Sequence, residues 1–161
     1  MTGTDPNRPT ICFEDLEVGD FRQSRSRTVT RDEIVEFARQ YDPQWFHSDP
    51  EAAKDSVFGE VVASGIHVLA MWRQLDHEIN SDIDYVCGIG WNELRLNRAI
   101  RAGDVIHVTS RIVDLIPSKT RENRGTALTR YAVVLEDGTE AVTFTSINLV
   151  YTRNGRHRER R

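Results

Sequence analysis

Asp42 and His47 are the residues of this chain whose types and spacing best suit proton transfer. They lie five positions apart, and Pro43 restricts the backbone beside Asp42. A carboxylate near an imidazole can be tuned so that one group accepts a proton while the other returns one. Trp45 and Phe46 lie between them and are expected to line the pocket. The sequence therefore offers Asp42 and His47 as a catalytic acid–base pair.

The same segment also has an ordinary structural interpretation. An Asp-Pro step favours a turn, and Ser48-Asp49-Pro50 suits the start of a helix. A single histidine in a loop is usually solvated or packed rather than catalytic. Spacing alone leaves both interpretations open.

Ser64 and Gly65 precede an apolar helix and form a second candidate site. Backbone N–H groups at a helix N-terminus stabilise developing negative charge, so the Gly65 N–H is suited to hold a thioester carbonyl. The missing side chain would let a substrate approach. In the structural alternative, Ser64 is an N-cap and Gly65 permits close packing.

Metal and nucleotide chemistry are not indicated. His67 lies within the apolar helix and is expected to be a satisfied core histidine, and the other histidines have no spacing typical of metal ligands. Cys12 and Cys87 are far apart and indicate neither a disulfide framework nor a thiolate site. The glycines form no phosphate-binding motif. We predict that no metal and no cofactor is required.

Length and composition predict one folded domain. The chain has 161 residues, 39% of them hydrophobic and 29% charged. Its net charge of -4 gives no electrostatic reason to bind nucleic acid or an anionic membrane. We predict a flexible leader over residues 1–12, a single domain over 13–151 and a basic disordered tail over 152–161, which holds five arginines.

The sequence shows neither a signal-peptide pattern nor a long apolar run, and this bears on the expected cellular location. Residues 1–10 are polar and contain no apolar run of the kind found in signal peptides, and no run of eighteen apolar residues occurs. Two cysteines without disulfide spacing fit a reducing compartment. We expect a soluble, cytoplasmic protein.

Helical signals dominate the first half of the chain. After a weak strand over 21–29, Thr30 begins a T-x-x-E capping box, and the helix after it should end at Pro43. The segment 42–47 is expected to be a loop, followed by a short helix from Asp49 through Lys54. A third helix over about residues 64–79 is apolar nearly all round its first turns and should be buried.

The second half has the period-two pattern of strands. These are predicted over 86–100, 105–116, 127–135 and 139–151, with Asp137-Gly138 as a tight hairpin turn. We expect a meander of four sequential antiparallel strands. A sheet that follows one very apolar helix must wrap around that helix to bury it, which predicts an α+β hot-dog fold with an antiparallel curved sheet.

Several motifs together resemble the MaoC-like (R)-specific enoyl-CoA hydratases and acyl dehydratases. The strongest is the D-x-x-x-x-H element of Asp42 and His47 within residues 37–53. Residues 13–20, 62–65 and 95–104 are similar to the family's entry segment, its buried-helix start and its strand and turn. The resemblance covers roughly residues 13–151.

The resemblance implies a function and a role for each site residue. Asp42 and His47 would jointly activate a water for attack on Cβ of an enoyl thioester and return a proton to Cα. Gly65 N–H would polarise the thioester carbonyl, and Ser64 would help to orient the pair. Coenzyme A or acyl carrier protein would enter as part of the substrate, and the protein would form a homodimer with its sheets edge to edge.

The chain departs from the family pattern at two places. Many hydratases have Asn-Pro before the histidine and His-Gly-Met at the central helix, whereas this chain has Trp45-Phe46 and Ser64-Gly65-Ile66. The bulk of Trp45 leaves the acyl chain length open. Two other functions remain as alternatives, because fold does not fix reaction: a hot-dog thioesterase, or a non-catalytic acyl-thioester-binding or partner subunit.

Overall fold

The computed structural model describes residues 9–155, and the predicted leader and tail lie largely outside this range. The helices are α1 (Arg31–Tyr41), α2 (Trp45–Ser48) and α3 (Gly65–Asn80), with 3-10 turns at Phe13–Asp15 and Ala52–Asp55. The strands are β1 (Phe21–Gln23), β2 (Arg27–Thr28), β3 (Tyr85–Leu96), β4 (Val105–Pro117), β5 (Arg124–Leu135) and β6 (Glu140–Tyr151).

The described ends of the chain contact the domain. Ile11 forms a parallel bridge with Ile83, and Cys12 is buried. Near the other end, the Arg153 guanidinium donates to Asp15 Oδ1 at 2.5 Å.

Helix α1 begins as its capping box predicts. Thr30 Oγ1 accepts a hydrogen bond from Glu33 N at 3.3 Å, and Glu33 Oε2 accepts one from Thr30 N at 3.0 Å. Two N-terminal backbone donors are thereby satisfied by side chains. Ile34 and Ala38 bury the inner face of the helix. The capped and packed helix fixes the position of Asp42, which follows its last residue.

The sheet is antiparallel, with strand order β1-β4-β5-β6-β3 and β2 also paired to β4. The predicted four-strand meander is wrong in one respect, because β3 pairs with β6 and not with β4. The connection from β3 to β4 instead pairs with the segment before α3. Ala63 N donates to Ile100 O at 2.9 Å, and Val62 forms an antiparallel bridge with Arg101. It therefore holds the segment before α3 instead of closing a hairpin.

The predicted strand over 21–29 is divided into β1 and β2. Ser24 interrupts it, because Ser24 Oγ accepts a hydrogen bond from Val108 N at 2.9 Å in place of a backbone carbonyl. The predicted helix from Asp49 is likewise shorter and is a 3-10 turn that begins at Ala52.

The curved sheet wraps around α3, which confirms the hot-dog fold. Val68, Met71 and Leu75 of α3 are buried, and the Trp72 ring meets Tyr131 and Phe144 at centroid distances of 5.0 and 4.7 Å. The outer face of α3 is left uncovered, and Ile66 on that face is 50% exposed. The sheet and α1 reach the other faces only.

Leu75→Ala should lower the free energy of unfolding by about 2–5 kcal/mol, because it leaves a cavity at the centre of the core. Leu75 is 0% exposed, whereas Ile66 on the same helix is 50% exposed. Ile66→Ala is thus the matched control and should change stability by less than about 1 kcal/mol. Urea unfolding followed by circular dichroism measures both variants, and equal losses would contradict this account of the core.

Candidate active site

His47 lies in α2 and is almost completely buried. The predicted loop over 42–47 is therefore wrong at its end, because Gln44 O accepts hydrogen bonds from both His47 N and Ser48 N and closes a helical turn. His47 Nδ1 lies 2.6 Å from Val62 O. A carbonyl oxygen only accepts, so Nδ1 carries the proton in the neutral ring and Nε2 keeps a free lone pair.

Asp42 brings its carboxylate to that free nitrogen. Its Oδ2 lies 3.9 Å from His47 Nε2, and its Oδ1 accepts a hydrogen bond from Gln44 Nε2 at 2.9 Å. A separation of 3.9 Å is too long for a direct hydrogen bond. One water placed about 2.8 Å from each atom would contact both groups. The structure thus brings the predicted pair together at a separation that one bridging water could span.

Ser64 and Gly65 lie at the N-terminus of α3, as predicted. Ser64 Oγ accepts a hydrogen bond from His67 N at 3.3 Å, which is the capping role. The Ser64 hydroxyl makes no hydrogen bond with Asp42 or His47. The Gly65 N–H has no acceptor among residues 9–155 and lies at the positive end of the helix dipole. It is available to a carbonyl oxygen.

The glycine at position 65 leaves open space at the start of α3. A Cβ built on Gly65 would lie 2.8 Å from Leu96 Cδ1. Leu96 is 58% exposed, so its side chain can move aside. The glycine consequently keeps space open beside a free N–H more than it prevents a clash inside the core.

The two aromatic residues of the predicted lining take different positions. Phe46 packs against the His47 ring at 4.4 Å and against Phe58 at 5.8 Å. Trp45 contacts Phe46 edge to face at 5.5 Å, but it is 48% exposed. Phe46 forms a wall behind the imidazole, while Trp45 lies at the protein surface.

Sequence reasoning missed two residues that support His47. Val62 supplies the carbonyl that orients the ring, and no pattern in the sequence marks a backbone contact of this kind. Arg101 holds the segment before Val62, because its Nη1 donates to Phe58 O at 2.9 Å and to Glu60 Oε1 at 2.6 Å. In the sequence, Arg101 is one of several scattered arginines that resemble solvated surface residues.

His67 is a core residue, as expected, but it is not fully satisfied. Its ring stacks on Phe37 of α1 at 4.4 Å, its Nε2 lies 3.8 Å from Glu33 Oε1, and its buried Nδ1 has no partner in the described chain. Burial lowers the pKa of His67, against the opposing effect of Glu33. The uncharged ring joins α1 to α3 and so links Asp42 to the helix start.

The described part of the chain contains neither a metal-ligand cluster nor a membrane helix. Between residues 9 and 155, no three histidine, cysteine or carboxylate side chains cluster as metal ligands would. No helix in the same range has the length and apolarity needed to cross a membrane.

Comparison with known proteins decides the family. The family model described as "MaoC like domain" matches residues 16–134, most of the chain. The chain belongs to this MaoC-like family. A crystal structure of the MaoC-like dehydratase from Rhodospirillum rubrum is 32% identical and covers 89% of this chain and 99% of that protein, with a TM-score of 0.83.

Two further proteins are similar to this chain. The 3-hydroxyacyl-thioester dehydratase Z of Mycobacterium tuberculosis is 32% identical over 94 residues, which are 56% of this chain and 62% of the dehydratase. The structure of a monoamine oxidase regulatory protein from Archaeoglobus fulgius is 27% identical, covers 91% of this chain and 97% of that protein, and has a TM-score of 0.81. Family membership supports hydratase or dehydratase activity.

Gly65→Ala should leave the protein folded and lower kcat/KM for an acyl-thioester substrate by about tenfold or more. The added methyl group displaces only the mobile end of Leu96, but it crowds the place beside the free N–H where a carbonyl would bind. Ala70→Gly, on an exposed part of the same helix, is a control for a change of helix propensity. Unchanged turnover in folded Gly65→Ala would remove Gly65 from the site.

Proposed function

We propose that this protein is a hydro-lyase that adds water to an enoyl thioester or removes it from a 3-hydroxyacyl thioester. The observation that carries the proposal is the free Nε2 of His47 lying 3.9 Å from Asp42 Oδ2. This pair can hold one water, and the Gly65 N–H can hold the carbonyl of the same substrate. The name of dehydratase Z, a 3-hydroxyacyl-thioester dehydratase, supports the substrate class.

In the hydration direction, the pair of Asp42 and His47 accepts a proton from the bound water as its oxygen forms a bond to Cβ. The electrons of the Cα–Cβ double bond move towards the thioester carbonyl, whose oxygen gains negative charge. The Gly65 N–H and the dipole of α3 stabilise that charge. The pair then returns the proton to Cα, and dehydration is the reverse of these steps.

The finer features of the activity belong to the same proposal. The hydroxyl is placed with (R) stereochemistry, the carrier is coenzyme A or acyl carrier protein, and the reaction takes place in the cytoplasm. No cofactor is needed, because the acid–base pair supplies proton transfer and a backbone N–H supplies charge stabilisation. Ser64 acts indirectly, by capping the helix that presents Gly65.

Asp42→Asn and His47→Gln should each lower turnover of trans-2-enoyl-CoA by about 10²–10⁴-fold, because each removes a proton acceptor. The loss of enoyl-thioester absorbance measures the rate. Asp55→Asn and His77→Gln make the same changes at exposed positions and should keep native activity.

Other results of these assays would refute the proposed pair or indicate one of the two alternative functions. Turnover that survives in folded Asp42→Asn and His47→Gln would refute the proposed pair. Release of free thiol from a saturated acyl-CoA would indicate a thioesterase. Binding of acyl-CoA without any turnover of the native protein would indicate a binding or partner subunit.

We also propose a homodimer that forms along β3. This strand ends the sheet, so one of its edges is unpaired within the chain. It carries Ile89, Trp91 and Leu96, which are 59%, 49% and 58% exposed. An unpaired edge with apolar side chains favours pairing with a second copy. The two sheets would then join edge to edge.

Ile89→Lys should convert the dimer to a monomer, because it places a charge at the proposed interface. Sedimentation velocity measures the change in mass. Val18 is 62% exposed beside the opposite edge of the sheet, so Val18→Lys is the control and should remain dimeric. A native protein that sediments as a monomer would refute the proposal.

A further inference from the structure

A second polar region lies away from Asp42 and His47, in a cavity of about 280 Å³ between the second half of α3 and the sheet. Its walls come from α3, β3, β5 and β6. The lining includes Trp72, Asp76, Tyr85, Trp91, Tyr131 and Asn148. None of them has a role in the proton transfer described above.

The cavity lies along the helix that starts at the active site. Strand β3 runs antiparallel to α3, since Leu96 is next to Gly65 at one end and the Trp91 ring meets Trp72 at 5.7 Å further along. With a rise of 1.5 Å per residue, Trp72 lies about 10 Å and Asp76 about 16 Å along the axis from Gly65. An extended acyl group bound through its carbonyl at Gly65 can reach this distance.

The cavity contains a hydrogen-bond donor without an acceptor. Asn148 is 8% exposed, and its Oδ1 accepts from Ser146 Oγ at 3.0 Å. Its Nδ2 group has no acceptor among the described residues. Trp72 Nε1 has no partner in that part of the chain either, but this atom has no accessible surface and does not face the cavity. The amide of a mostly buried asparagine is normally satisfied, so the Asn148 Nδ2 group indicates a ligand that carries an acceptor oxygen.

The charges in the cavity cancel. Asp76 is 3% exposed, pairs with the Arg73 guanidinium and accepts a hydrogen bond from Asn80 Nδ2 at 2.7 Å. Burial raises the pKa of both Tyr85 and Tyr131, so these phenols stay neutral. A ligand carboxylate would meet the buried charge of Asp76 with no free cation to balance it. The acceptor that fits is uncharged.

We propose that this cavity selects an acyl thioester whose acyl group carries a neutral oxygen, a hydroxyl or a carbonyl, about 10–16 Å from the thioester carbon. The inference rests on the proposed function and deepens it by naming the substrate class. A cavity of 150 Å³ holds a benzene molecule, so this one has room for about ten non-hydrogen atoms. A plain alkyl chain would fill the same space and leave the Asn148 amide unsatisfied.

Three thioesters of equal length test the selection: trans-2-decenoyl-CoA, its ω-hydroxy counterpart and its ω-carboxy counterpart. We expect kcat/KM for the ω-hydroxy thioester to exceed that for the plain one by about tenfold, the effect of one buried hydrogen bond. The ω-carboxy thioester should be the poorest substrate. Equal or better turnover of the plain or the carboxy thioester would overturn the inference.

Asn148→Leu should remove the preference, because it replaces the free amide with an apolar group. The expected result is a loss of about tenfold for the ω-hydroxy thioester and little loss for the plain one. Thr145→Val changes a polar residue of the same strand that faces the other side of the sheet and should keep the native ratio. A ratio that survives in Asn148→Leu would count against the assignment.

Binding separates this inference from the proposed function. The saturated decanoyl-CoA and its ω-hydroxy counterpart cannot be hydrated, and their binding to the native protein is followed by tryptophan fluorescence. Tighter binding of the hydroxy thioester supports the inference even if no enoyl thioester turns over, whereas equal binding refutes it. Loss of turnover alone refutes only the hydro-lyase.

Discussion

The burial of α3 is the constraint on which the rest of the structure depends. Val68, Met71, Trp72 and Leu75 form an apolar face on α3, and the hydrophobic effect drives other elements to cover it. The sheet covers one side through Trp72, Tyr131 and Phe144, and α1 approaches another through Phe37 and His67. The candidate site forms where this covering ends, at the exposed N-terminus of the helix.

A short chain of contacts then sets the chemistry. Arg101 holds the segment from Phe58 to Glu60, and that segment leads to Val62. The Val62 carbonyl fixes the tautomer of His47, so the nitrogen that faces Asp42 is the one without a proton. The pair is thus prepared by backbone and surface contacts that take no part in proton transfer.

Local signals in the sequence predicted local structure well. The Thr30 capping box located α1, the apolar pattern located α3, and period-two segments located the four long strands. The partner of β3 was wrong, because pairing depends on where a crossing connection places the strand and not on the strand's own pattern. The Val62 contact with His47 could not be predicted either, since it joins a side chain to a backbone carbonyl of another segment.

The antiparallel arrangement of α3 and β3 limits which sequence changes related proteins could use to alter a ligand preference. One helix carries both the free Gly65 N–H and a wall of the distant cavity, and each residue added to it rotates the remainder of the helix by about 100°. An insertion between Gly65 and Trp72 would turn the cavity wall into the core and disrupt both. Under the proposed function, new acyl specificities would therefore arise through single side-chain replacements along a helix of constant length, while Gly65 at its start is kept.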